Sequence, residues 1–194
     1  MGGTFSKNLS LAAKEIWTWC EERKLWIFAS YISSKDNAIA DFESRRLEPE
    51  TEYELNKASF LHLCREFGDP EIDLFASLSN AKCSCYLSWK KDPGSIAVDA
   101  FTINWQKYFF YAFPPFSIIL RVIRKIKHDK ATGILVVLNW PSQPWYPLFK
   151  NMLVSDMIIL EPKHNLIHSS SKEHHPLWQQ LFLAAGILSG KLLP

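Results

Sequence analysis

The stretch Tyr108-Phe109-Phe110-Tyr111-Ala112-Phe113-Pro114-Pro115-Phe116 constrains the fold more than any other part of the chain. Five of its first six residues are aromatic, and aromatic side chains favour the pleated, half-buried surface of a strand. Proline has no N–H to give to a ladder and a fixed φ, so Pro114 and Pro115 must end the strand in a rigid turn. A run of helical character follows, from Ser117 to about Lys127. Strand end, stiff loop and helix start, in that order, form a ligand crevice in an open α/β sheet. The same pattern without a ligand is a rigid strand–helix connector.

Other stretches extend the alternation. Glu71-Ile72-Asp73-Leu74-Phe75-Ala76-Ser77 reads as a short strand with a small-residue exit. Ser79-Asn80-Ala81-Lys82 turns, and Cys83 to Trp89 reads as a second extended piece. Lys90-Lys91-Asp92-Pro93-Gly94 is a loop by its turn chemistry. Gly133 to Leu138 is a continuous apolar run, the pattern of a central strand covered on both faces. Leu148 to Val154 is a short helix and Met157 to Leu160 a further strand. Alternation of this kind defines an α/β sheet. The exits Phe75-Ala76-Ser77, Phe113-Pro114-Pro115-Phe116 and Asn139-Trp140-Pro141 should then gather on one edge. Two helices flank this region in the sequence reading. Thr51-Glu52-Tyr53-Glu54 resembles a capping box. It opens a helix that buries Leu55, Ala58, Phe60, Leu63 and Cys64 and ends near Gly68. Leu177 to Leu188 is expected as a terminal amphipathic helix ended by Gly190.

At 194 residues the chain holds one domain, or one domain plus a fragment, and 47% hydrophobic residues supply a globular core. A net charge of +2 is too small to imply nucleic-acid binding by itself. No apolar run reaches the roughly 18 residues of a membrane span, and the N-terminus lacks the apolar segment of a secretory signal. Cys20, Cys64, Cys83 and Cys85 form no CxxC pair, and Cys83-x-Cys85 is tight for joint tetrahedral ligation. They read as reduced thiols of an intracellular protein, nuclear or cytoplasmic, with structural zinc as the alternative.

The N-terminal region has its own order. Leu9, Ala12, Ala13, Ile16, Trp17 and Cys20 recur at spacings of three and four, which predicts a helix from about Ser6 to Lys24 with Ser6 as N-cap. Leu25 to Ile32 is a strand candidate, Ser33 to Asn37 a polar turn, and Asn37 to Arg46 a short helix. Met1-Gly2-Gly3-Thr4-Phe5-Ser6 also fits the loose pattern for N-myristoylation at Gly2. A connector with Pro49 closes the region, so the domain boundary falls near Leu47 to Thr51. A first domain over 1–48, a second over 49–165 and a tail over 166–194 result.

Asn37, Ala40, Asp41, Ser44 and Arg45 match the N-x-x-A-D-x-x-S-R signature of a retroelement ribonuclease H domain, and the preceding helix and strand come in that family's order. Gly2-Gly3-Thr4-Phe5-Ser6 is similar to the segment that opens the family's last long helix. The family cleaves the RNA strand of an RNA–DNA hybrid with clustered carboxylates and two metal ions, Mg2+ in the complete domain. Asp41 matches the last of these carboxylates, as both catalytic group and metal ligand. Its companions would precede Met1, and one carboxylate cannot clamp two metals. Tyr31 stands where many relatives carry His. The resemblance therefore implies a ribonuclease H remnant without cleavage.

Asp73-Leu74-Phe75-Ala76, Asn80-Ala81-Lys82-Cys83, Asp99-Ala100, Trp105 and Phe113-Pro114-Pro115-Phe116 occur in an order that resembles the phage-type adenine DNA methyltransferases. The order is closer still to the methyltransferase-like domain that follows ribonuclease H in the polyproteins of DIRS-type, tyrosine-recombinase retroelements. Trp140-Pro141-x-Gln143-Pro144-Trp145-Tyr146-Pro147 and the tail Leu183 to Gly190 also resemble that polyprotein, so the resemblance covers nearly the whole chain. It implies a small Rossmann-like sheet. Asp73, Phe75 and Asp99 would contact S-adenosylmethionine. Pro114, Pro115 and Phe116 would form the turn that holds an adenine flipped out of DNA. In the family an Asn or Asp opens this turn and accepts a hydrogen bond from the reacting amine. Phe113 occupies that position here, and Ser77 stands where many relatives use Gly. Losing such an oriented contact costs several kcal/mol of transition-state stabilisation, on the scale of about 3 kcal/mol for one removed catalytic hydrogen bond.

Arg121, Arg124 and Lys125 on the helix after the double proline could meet phosphates, and Trp140 and Trp145 could stack on bases. A solvated helix face and core aromatics are the alternative reading of the same residues. His164, His168, His174 and His175 lie in a polar loop without supporting cysteines. The expected protein is thus a retroelement fragment with a degenerate methyltransferase-like domain and no transfer activity. Its partners would be DNA, an RNA–DNA hybrid or the rest of the polyprotein, and no membrane. An active adenine methyltransferase and a co-opted protein-interaction module are the alternatives.

Overall fold

The computed structural model describes residues 7–26, 53–169 and 178–191. The chain divides into two compact units, Met1–Leu47 and Glu48–Pro194.

In the first unit, helix α1 spans Lys7–Glu22, as the three-and-four spacing predicts. Cys20 is buried, whereas Ile16, Trp17 and Trp19 are about half exposed and Trp26 is 88% exposed. The Arg23 guanidinium lies 4.3 Å over the Trp19 ring and donates to the Trp19 carbonyl at 3.2 Å. Gly2, the Ser6 cap, most of the expected strand 25–32, the helix 37–46 and Asp41 lie outside the described residues.

The second unit is a mixed α/β structure. Its elements in chain order are β1 (Glu54–Leu55), α2 (Lys57–Phe67), β2 (Ile72–Asp73), β3 (Cys85–Tyr86), β4 (Phe109–Ala112), α3 (Ile119–Asp129), β5 (Thr132–Leu138), α4 (Tyr146–Asn151), β6 (Ile158–Leu160), β7 (Ile167–His168) and β8 (Leu183–Ser189). A six-stranded sheet has the order β3-β2-β4-β5-β8-β6. Strands β3, β2, β4 and β5 are mutually parallel, and β8 runs antiparallel between β5 and β6. Beyond β3, residues Ile96 to Asp99 run parallel to Tyr86 to Ser88 and extend that edge by a bridge at Ser88 and Val98. Strands β1 and β7 form a separate antiparallel ribbon.

The double proline acts as its chemistry requires. Strand β4 ends at Ala112, and after Pro115 a single 3-10 turn over Phe116–Ile118 leads into α3. Helix α3 buries Ile119, Val122, Ile123 and Ile126, the stripe of an amphipathic helix on a sheet. All of β5 except Thr132 is buried, in keeping with a strand covered on both faces. Gly133 sits opposite Phe110 in the β4–β5 ladder, and any Cβ there would collide with the Phe110 carbonyl and ring. The glycine thus leaves room for the Phe110 side chain against the neighbouring strand.

Two expected helices need correction. Residues 53–55 are not helical: Leu55 is fully buried and pairs with Ile167, and the backbone N–H of Asn56 donates to the Leu166 carbonyl. The helix begins only at Lys57, where the Asn56 side chain accepts from the Ser59 N–H at 2.7 Å, and Ala58 is exposed. It ends at Gly68, at φ 92°, as expected. The terminal helix over 177–188 is also overturned, because Leu183–Ser189 is strand β8. Leu and Ala favour a helix locally, but here seven residue pairs to β5 and three to β6 enclose the segment. Tertiary pairing outweighs a propensity worth tenths of a kcal/mol per residue, about 0.7 at most for ordinary residues. The short helix α4 begins two residues and ends three residues earlier than its sequence reading, with Pro147 in its first turn.

Candidate functional site

The chain leaves β2 for β3 on one side and then returns to β4 on the other. Strand order therefore reverses between β2 and β4, and in parallel sheets ligands bind outside the C-terminal ends of strands at such a point. Because β2, β4 and β5 are parallel neighbours, their exits share one edge of the sheet, as the alternation predicts. Asp73 ends β2 and stands in register with Tyr111 of β4.

Asp73 is 2% exposed. Its Oδ1 accepts from the Phe75 N–H at 3.2 Å and its Oδ2 from the Lys82 N–H at 3.1 Å. Burial pushes its pKa up to about 6, against the pull of those two N–H groups and the Lys82 charge, while the Glu54 charge adds to the rise. The Lys82 ammonium donates to Glu54 Oε2 at 2.6 Å, and only 13% of the Lys82 side chain is exposed. This bridge fastens the β1 ribbon to the β2–β3 loop, across the switch point. The Tyr111 hydroxyl is buried and has no hydrogen-bond partner among the described residues. Burial, and then the Asp73 charge, raise the pKa of this phenol well above 10.

What remains between these side chains is a cavity of about 10 Å³, lined in part by Tyr53, Glu54, Asp73, Phe75, Tyr111 and Phe113. That is the room of one water, against the roughly 300–1,000 Å³ of small-molecule pockets. The space beside Asp73 and Phe75 is far smaller than S-adenosylmethionine. At the double-proline turn Phe113 is buried, 6.1 Å from the Phe116 ring, and its side chain carries no polar atom.

The structure brings Asp73, Phe75 and the start of the Phe113-Pro114-Pro115-Phe116 turn to one place. Pro114 is buried, and Pro115 and Phe116 are half-buried. Asp99 lies apart and works locally. At φ 60° it caps the turn Ala100–Thr102, its Oδ1 accepting from the Phe101 N–H at 3.0 Å. Arg121 stacks 3.7 Å over the Phe101 ring. Lys125 is paired with Asp129 at 2.8 Å, whereas Arg124 is exposed. Trp140 is 42% exposed and keeps a face for stacking. Trp145 is buried against Tyr146, ring centroids 5.8 Å apart, and offers none. Asn139 accepts from the Tyr146 hydroxyl at 2.6 Å instead of facing the crevice. Sequence reasoning missed Glu54, Lys82 and the Tyr111 hydroxyl as parts of the site.

Cys20, Cys64, Cys83 and Cys85 are free thiols. Burial, and then Asp73, push Cys83 up to about 12. Among the described residues no cluster of three or more His, Cys, Asp or Glu is arranged for a metal, and no helix is long and apolar enough to cross a membrane. No protein-family model matches the chain, and no curated protein matches it in sequence.

Proposed function

We propose that the chain is a fragment of a DIRS-type retroelement polyprotein: the end of a ribonuclease H domain, followed by a degenerate adenine-methyltransferase-like sheet that has lost methyl transfer and serves as a nucleic-acid-binding scaffold. The strand order supports the Rossmann-like part of this reading. Asp73-Leu74-Phe75-Ala76 leaves β2 and Phe113-Pro114-Pro115-Phe116 leaves the adjacent parallel β4, on either side of the switch point where a cofactor and a flipped base would meet. The observation that carries the loss of activity is the crevice itself. The Glu54–Lys82 bridge, Tyr53 and the buried Asp73 fill it down to about 10 Å³. Exposed Trp140, Arg121 and Arg124 are the groups available to nucleic acid. A protein-interaction role is the second reading, favoured by the exposed Ile16, Trp17, Trp19 and Trp26 of the first unit.

The test is a transfer assay with methyl-labelled S-adenosylmethionine and adenine-containing DNA. The proposal expects no label in the DNA above a no-protein control. Label incorporation that scales with protein would overturn it.

A further inference from the structure

We propose that the small cavity at the C-terminal ends of β2 and β4 is a binding site for a single water, which serves as the partner of the Tyr111 hydroxyl and ties it to the Asp73 carboxylate. The proposal stands on this cavity alone and not on the methyltransferase-like reading of the fold.

The Tyr111 ring is held edge-on against Phe60, centroids 5.0 Å apart, and is 1% exposed. Its hydroxyl is the one buried side-chain N or O atom among the described residues without a hydrogen-bond partner. Buried polar groups are almost always satisfied, by protein or by ordered water. Tyr111 lines a cavity of about 10 Å³, close to the minimum that holds one water.

A water also needs two to four polar partners, roughly three on average, and apolar cavities stay dry. This cavity meets that need. Each Asp73 oxygen accepts one backbone N–H, and a carboxylate offers about four acceptor sites in all, so acceptors remain. Glu54 uses Oε2 for Lys82, and Asn80 uses its Oδ1 for Ser77. The Tyr111 hydroxyl both donates and accepts. A water placed here donates to Asp73 and completes the hydrogen bonding of Tyr111. The charged groups lining the space are Asp73, Glu54 and Lys82. Their sum is negative, which suits a hydrogen-bond donor. A water that donates to Asp73 favours its ionised form and counters part of the effect of burial.

Tyr111→Phe in the full chain tests this by sign. The ring and its packing on Phe60 stay, and only the hydroxyl goes. If a water bridges Tyr111 to Asp73, losing the hydroxyl removes a satisfied hydrogen bond. The folded-to-unfolded ratio from urea denaturation should then fall roughly 2- to 10-fold. If the hydroxyl has no partner at all, its removal relieves a buried unsatisfied group and the ratio should rise, which would overturn the proposal. A crystal structure of the wild-type chain at a resolution that shows waters gives an independent reading. A density peak at about 2.5–3.0 Å from Tyr111 Oη, and at a like distance from Asp73, supports the bridge. Clear density for Tyr111 with no such peak refutes it.

Discussion

At neutral pH Asp73 carries its charge in a place that resists charge. Its side chain is fully buried, and burial lifts its pKa from the ordinary 3.8 to about 6. Between these two values the folded chain holds the proton more tightly than the unfolded chain does. The Asp73 contribution to stability therefore falls as pH rises from 3.8 to about 6, and stays level above that. The gap corresponds to about 3 kcal/mol. Asp73→Asn removes the titration. The amide still accepts from one of the two N–H groups of Phe75 and Lys82, but its NH2 then faces the other. The variant thus carries a fixed cost of about 1–3 kcal/mol at every pH. Urea denaturation of both proteins, followed by tryptophan fluorescence at about pH 4 and about pH 7, isolates the pH-dependent part. Relative to wild type, Asp73→Asn should gain roughly 2–2.5 kcal/mol between the acid and the neutral measurement, because at about pH 4 a part of the full gap is already lost. A gap between the two proteins that does not change with pH would refute the reasoning.

Two further predictions concern residues that flank the site. Asp129 is 8% exposed and accepts from the buried Trp105 N–H at 3.0 Å and the Lys125 ammonium at 2.8 Å, so Asp129→Ala should cost about 3 kcal/mol in urea denaturation. Burial acts to raise the pKa of Asp129, but Lys125, Trp105 and His128 together hold it below 3.8; its stabilisation should therefore persist at mild acid pH and fade only below that value. Phe113→Asn places a side-chain acceptor at the start of the double-proline turn. It should still yield no methyl transfer in the labelled assay, because the β1 ribbon and the Glu54–Lys82 bridge keep the crevice closed, and it should lower thermal stability by about 2 kcal/mol for burying an amide.

The parts of this fold that were legible in the sequence are those fixed by local chemistry. Pro114 and Pro115 cannot pair in a ladder, so the end of β4 was visible without any tertiary information. The apolar run of β5 and the stripe of α3 were visible for the same reason. Strand β8 was not. Leu183 to Leu188 carries helix-favouring Leu and Ala, and only the slot between β5 and β6 makes it extended. Nor was β1: Thr51 to Glu54 reads as a capping box, but Leu55 pairs with Ile167, more than a hundred residues later.

The site divides along the same line. Asp73, Phe75 and Phe113 were visible because each lies at or just after the end of a strand, and parallel strands bring their ends together. Glu54 and Lys82, 28 residues apart, meet only through the β1–β7 ribbon, and no local pattern announces that pairing. Tyr111 was seen as one aromatic of the organising strand, but the burial of its hydroxyl, without a partner among the described residues, follows from the packing around it. Asp99, Trp145, Arg121 and Lys125 had the right residue types for binding. In the structure Asp99 caps a turn, Trp145 lies in the core, Arg121 stacks on a ring and Lys125 joins an ion pair, none of which the residue types alone show.

The central claim is that the switch-point crevice is closed to a cofactor. Calorimetric titration of the full, folded chain with S-adenosylmethionine tests it most directly. The closed crevice predicts no saturable heat up to millimolar ligand, since nothing larger than about one water fits beside Asp73 and Tyr111. Micromolar binding that Asp73→Ala abolishes would contradict the claim.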